Sequence, residues 1–224
     1  MSTNPPAGVF SVGAAVSYGW NRFKANTVQW VLIMLVIVVI SVTVDFAFGG
    51  LDYASDDADA DASLAVTFTL AGVGSALATA VINSLLHAAV VRGSLDETFG
   101  RKASFESVLR LGNIVDVVLA GLLTTVLTLI GLLLFVLPGI VFAFVSWFTL
   151  MFVLDKQQSP VTAVMSSVTL VSASIGPCLL LALASIGIVI LGFLACGVGV
   201  LAALPVVSIA SAYAYRALQG EGAA

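Results

Sequence analysis

Asn83 and His87 are the pair in this chain best placed to do chemistry. They stand four residues apart, so a helix carries them on one face, and His87 is the single histidine. An imidazole titrates near neutral pH and can relay a proton. Intramembrane polar groups usually face a bundle interior and can mark a transport path. Two plainer roles compete: a hydrogen bond between helices, or a reach to the headgroups, since Arg92 lies about one turn further on. Asp45 and Asp116 are the next candidates. Both fall near the ends of apolar runs, where interfacial water can solvate a carboxylate. Thr124, Thr125 and Thr128 could line a polar path, or each could bond its own backbone.

Other chemistries lack their residues. No Gly-x-x-x-x-Gly-Lys-Ser/Thr loop is present to cradle phosphates, and no His-Glu-x-x-His pair to hold zinc. No Gly-x-Ser-x-Gly elbow appears, and a single histidine cannot build a histidine-rich metal site. Asp52, Asp56, Asp57, Asp59 and Asp61 could offer oxygen ligands to calcium. That run has neither the glycine nor the terminal glutamate of an EF-hand, so a solvated acidic loop is expected. Cys178 and Cys196 are 18 residues apart on one expected helix, about 27 Å along its axis and beyond disulfide reach. The sequence therefore predicts no catalytic, metal or cofactor site.

The elements that hold these residues are legible in the composition. Of 224 residues, 60% are hydrophobic and 9% charged, where a soluble domain carries about 25% charged residues. Lipid must be the solvent. Six apolar runs follow, at about 27–48, 64–91, 114–136, 140–154, 177–195 and 200–215, compared with the ~20 residues needed to cross a bilayer. Pro138-Gly139 is expected to turn the third run into the fourth. With six spans, every base falls on one side: Arg22, Lys24, Arg92, Arg101, Lys102, Arg110, Lys156 and Arg216. Basic segments remain cytoplasmic, so both termini are expected there, with residues 1–8 and 219–224 as tails around a membrane domain of 9–218. Met1–Gly8 lacks the basic n-region of a signal peptide, so the first run is expected to stay in the mature protein. Tyr18, Trp20, Trp30, Tyr213 and Tyr215 fall near the same interface, as an aromatic belt would.

A short segment with helical apolar spacing precedes each pair of runs. Val9, Val12, Val16, Trp20 and Phe23 form the first stripe; Phe105, Val108, Leu109 and Gly112 the second; Val161, Val164, Met165, Val168 and Val171 the third. Ser11, Ser104 and Ser159 suit the N-caps, and Pro160 the first turn. The predicted fold is all-α and integral to the membrane: six transmembrane helices as three hairpins, each preceded by a cytoplasmic interfacial amphipathic helix. In the second run Gly72, Ala76 and Ala80 recur every four residues, a spacing that lets helices approach closely within the bundle or between protomers.

Three short pieces carry a family resemblance: Phe10-Ser-Val-Gly-Ala-Ala-Val-Ser-Tyr-Gly-Trp20, Leu137-Pro-Gly139, and Ser159-Pro-Val-Thr-Ala163 with Ser167 after it. The closing Ala212-Tyr-Ala-Tyr-Arg216 fits too. Through them the chain resembles the bacterial multi-pass membrane proteins related to the membrane domain of glycerophosphoryl diester phosphodiesterases. The resemblance implies six membrane helices in a bacterial plasma membrane. It does not bring the phosphodiesterase activity, because no catalytic barrel fits in this length. The expectation is a non-enzymatic protein that acts by association, as scaffold or accessory subunit for envelope or lipid-handling machinery. Its partners would be the lipid bilayer and a membrane protein or a second copy, not nucleic acid. Two alternatives stand beside it: a transporter or channel using Asn83 and His87, and a membrane enzyme using Asp116 or Asp155 at the inner face.

Overall fold

In the computed structural model, residues 11–53, 70–195, 197 and 199–222 are described. The acidic run Asp56–Asp61 and Cys196 lie outside them. All regular structure among the described residues is helical: α1 (Val12–Ala25), α2 (Thr27–Tyr53), α3 (Leu70–Thr98), α4 (Phe105–Val108), α5 (Ile114–Leu134), α6 (Val136–Val145), α7 (Thr149–Lys156), α8 (Pro160–Ala173), α9 (Ile175–Leu194) and α10 (Val200–Leu218). Six stretches of the described residues are long and apolar enough to cross a membrane: Thr27–Ala47, Gly74–Thr98, Ile114–Leu134, Val136–Lys156, Ile175–Leu194 and Val200–Leu218.

Local chemistry sets the boundaries. The Ser11 hydroxyl accepts from the Ala14 amide at 3.4 Å, opening α1. Ser104 and Ser107 cap one another reciprocally and open α4. Ser159 precedes α8 with Pro160 in its first turn, but its hydroxyl pairs with that of Thr162 at 2.8 Å instead of capping the backbone. The second amphipathic segment is one helical turn only; after it the backbone passes through Gly112 at φ +67°.

The turn between the third and fourth spans is not Pro138-Gly139. It falls at Phe135, whose extended backbone (φ −158°, ψ 140°) separates α5 from α6. Pro138 lies in the first turn of α6, where its missing N–H has no intrahelical partner to lose. Gly139 lets α6 return against α5: a Cβ there would stand 2.5 Å from the Leu132 amide nitrogen. The fourth span reaches 21 residues because α6 and α7 stack across a break at residues 146–148. Ser167 of α8 repairs that break. Its hydroxyl accepts from the Phe148 amide at 3.1 Å and donates to the Val145 carbonyl at 2.8 Å.

Packing is uneven along the bundle. In α3 residues 93–98 are all buried, whereas Ser84 is the lone buried position from 74 to 87. The dense half is the end that holds the bases. There α1 lies along α10, and a Cβ at Gly19 would stand 2.5 Å from the Val206 carbonyl oxygen. The buried face of α1 is thus Ala15, Gly19 and Phe23, while Trp20 of the expected apolar stripe is exposed. The aromatic residues also differ from a belt. Trp30 and Tyr215 are fully buried, and the Tyr18 and Tyr213 rings pack at 4.9 Å. Trp30 and Tyr215 are thus core at the basic end, Tyr18 and Tyr213 pack half-buried against it, and Trp20 alone of the set is exposed.

Candidate functional site

Two arrangements stand out, one that fixes the basic end and one that faces outward. The first centres on Glu97, in the last turn of α3 and 2% exposed. Its Oε1 accepts from three donors, each at 3.1 Å: the Asn26 side-chain amide, the Trp30 indole and the Ala103 backbone amide. Asn26 also donates to the Ala103 carbonyl at 2.9 Å. The Tyr18 hydroxyl donates to the Glu97 backbone carbonyl at 2.9 Å. The carboxylate of one α3 residue therefore joins the α1–α2 junction, α2 and the loop after α3, and its backbone carbonyl adds α1. Burying a carboxyl group is costly without such bonds.

Ionic contacts extend this end. Asp96 is buried and accepts from Arg101 at 2.6 Å. Arg216 donates to the Thr98 carbonyl at 2.8 Å and stacks over the Phe99 ring at 4.2 Å. Tyr215 donates to Asp155 at 3.1 Å. Lys156 reaches Glu221 at 2.6 Å, and that hydrogen bond holds the Glu221 carboxyl below its ordinary range. Burial pushes the Tyr18 phenol up.

The second arrangement is the expected pair. Asn83 and His87 are both exposed, on the outward face of α3. This is not the interior placement that the transport alternative needs: positions 76, 80, 83 and 87 fall on one stripe, and the adjacent stripe, with Ser84 and Ala88, is what packs inward. Ala76 is exposed and Ala80 half-buried, one and two turns before Asn83, with Gly72 a further turn back in the same helix. Neither Asn83 nor His87 has a hydrogen-bond partner among the described residues. The inward stripe has its own small-residue contact, because Gly121 of α5 meets the Ser84 side chain.

The remaining candidates take structural places. Asn113 caps α5, accepting from the Val115 amide at 3.2 Å and donating to Asp116 at 2.6 Å. Asp116 thus sits at a helix N-terminus, where the dipole favours an anion. Thr124 donates to the Ala120 and Gly121 carbonyls of its own helix. Thr125 and Asp45 are exposed, and Cys178 is a buried free thiol. Among the described residues no three His, Cys, Asp or Glu side chains gather as metal ligands. Pattern reading missed Glu97 as a hub. The available signal was an Asp-Glu dipeptide still within a helical run, one turn after Arg92.

The chain is 36% identical over 225 residues to the uncharacterized protein Mb2590 of Mycobacterium bovis, a match covering 94% of this chain and 69% of that protein. It is 35% identical over 225 residues to the uncharacterized protein Rv2560 of Mycobacterium tuberculosis, with the same two shares. No family model matches the chain. No solved structure matches it. Identity at this level across nearly the whole chain settles the kinship: the protein belongs to the family of these uncharacterized mycobacterial proteins.

Proposed function

We propose that this chain is a non-enzymatic multi-pass membrane protein that acts by association, as a scaffold or accessory subunit of cell-envelope or lipid-handling machinery. One observation carries the reading: an amide and an imidazole, unpartnered among the described residues, stand on the outward face of a membrane span beside a stripe of small residues. In hydrocarbon such groups seek hydrogen bonds, worth about 0.6–2 kcal/mol each between helices. Small residues at four-residue spacing let a second helix come close enough to supply them. Each side chain holds both a donor and an acceptor, so a partner subunit's span or a second copy of α3 would satisfy them.

The bundle interior supports the same reading. Ser84, Ser94 and Ser211 are buried, and each donates to a carbonyl one turn back in its own helix, which favours packing over a solute path. The clustering of bases at one end supports an orientation with both termini cytoplasmic, and the bacterial relatives support the plasma membrane as the site. Kinship with the membrane domain of glycerophosphoryl diester phosphodiesterases rests on the short motifs alone, and it fits a role beside lipid metabolism. Ser167, one of those motif residues, has its physical role in mending the fourth span.

The test is purification of the tagged protein in a mild detergent from its native membrane, with co-purifying proteins identified by mass spectrometry. A stoichiometric partner or a homo-oligomer, lost in Asn83→Ala/His87→Ala, supports the proposal. A monomer with no partner, unchanged by the substitutions, overturns it.

A further inference from the structure

A cleft of about 300 Å³ opens at the basic end, between the last turns of α3, the loop that follows and α4. Arg92, Arg101, Lys102 and Arg110 line it against the acids Asp96 and Glu106. Four bases against two acids leave an excess of two positive charges. Asp96 is taken up by Arg101 at 2.6 Å, and Glu106 by Arg110. Lys102 and Arg92 remain, Arg92 sharing Asp96 with Arg101 in a long ion pair. Lys102 has no ion-pair partner among the described residues. Arg92 stands 3.9 Å from Asp96, and its Nε is buried with no hydrogen-bond partner. An arginine fork and an ammonium around one polar hollow suit a group with several acceptor oxygens and one or two negative charges.

We propose that this cleft binds a phosphate-bearing anionic group, with a membrane lipid headgroup as the source. The source follows from place and neighbours. The cleft lies at the end of a membrane span, where bases meet the anionic surface of a leaflet. Beside it α4 and the residue after it present Phe105 and Leu109, 39% and 74% exposed. Those side chains suit the acyl boundary while the cations hold the phosphate above it. The contact is electrostatic and fades with salt over a Debye length of about 8 Å at physiological ionic strength.

The full chain, delipidated in mild detergent, is offered phosphatidylglycerol and phosphatidylcholine together, and bound lipid is counted by native mass spectrometry. Separately, inorganic phosphate is titrated without lipid and read by thermal shift. Wild type is expected to prefer phosphatidylglycerol, and Lys102→Gln to weaken that binding about fivefold, the weight of one basic group at an anionic surface. Lys24→Gln, at the same end but outside the cleft, should leave it unchanged. Stabilisation by inorganic phosphate that is lost in Lys102→Gln, without lipid preference, supports the phosphate site with a soluble source. Equal binding of both lipids with no phosphate effect overturns the proposal. So does an equal loss in Lys24→Gln, which would mean diffuse charge attraction.

Discussion

Replacing Glu97 by alanine should be among the most damaging single changes in this protein. The substitution removes the acceptor of the Trp30 indole N–H and the Ala103 amide, both buried. Each donor left unsatisfied costs about 1–3 kcal/mol, so the pair predicts a loss of about 2–6 kcal/mol. Asn26 adds little to the sum, because it keeps the Ala103 carbonyl at 2.9 Å. Glu97→Gln retains an acceptor oxygen of the same shape and should cost only about 1 kcal/mol. The assay is unfolding in mixed micelles, titrated with a denaturing detergent. Tryptophan fluorescence reports the basic end directly, since Trp30 is fully buried there, and circular dichroism reports the helices. Loss of less than about 0.5 kcal/mol in Glu97→Ala, within the range of ordinary surface changes, would refute the hub. A glutamine variant as unstable as the alanine one would show that the acceptor geometry is not what matters.

Three further outcomes follow from the same contacts. Ser167→Ala should destabilise by about 1–3 kcal/mol, because the buried Phe148 amide loses its acceptor; hydrogen exchange should rise at residues 146–149 and not in α9. Gly19→Leu should push α1 off α10, since even a Cβ meets the Val206 carbonyl, at a cost of about 1–3 kcal/mol, read as faster proteolysis before Asn26. Glu221 has a lowered folded-state pKa, from its hydrogen bond to Lys156. Its contribution is therefore present above the ordinary glutamate value of about 4.3 and disappears as pH falls through the folded value. Wild type should exceed Glu221→Gln by under about 1 kcal/mol near neutrality; the gap should close in unfolding midpoints taken at successively lower pH.

The sequence revealed spans more readily than sites because different physics governs each. A membrane span must satisfy its own backbone and present apolar side chains to lipid, so length and composition along the chain suffice to find it. The gathering of bases at one end followed from the same rule, and Ser11, Ser104 and Ser159 marked three helix starts. The third and fourth spans showed where one-dimensional reading fails. Pro138-Gly139 looked like a turn, yet the reversal is three residues earlier, because Pro is tolerated in a first turn and Gly serves the packing of α6 on α5. Periodicity placed Asn83 and His87 on a shared face but not which way that face points; the direction depends on Ser84 meeting Gly121. Glu97 was hidden for a similar reason. Its partners are 67 to 71 residues away at Trp30 and Asn26, and no local pattern reports a contact of that separation.

Action by association requires that the Asn83–His87 face meet protein in the native membrane. A photo-crosslinking residue placed at 83, at 87, and at Ile190 as a lipid-exposed control tests it most directly. Defined protein adducts are expected from 83 and 87, to a partner subunit or a second copy of this chain, and none from 190. Adducts to lipid alone at all three positions would contradict it.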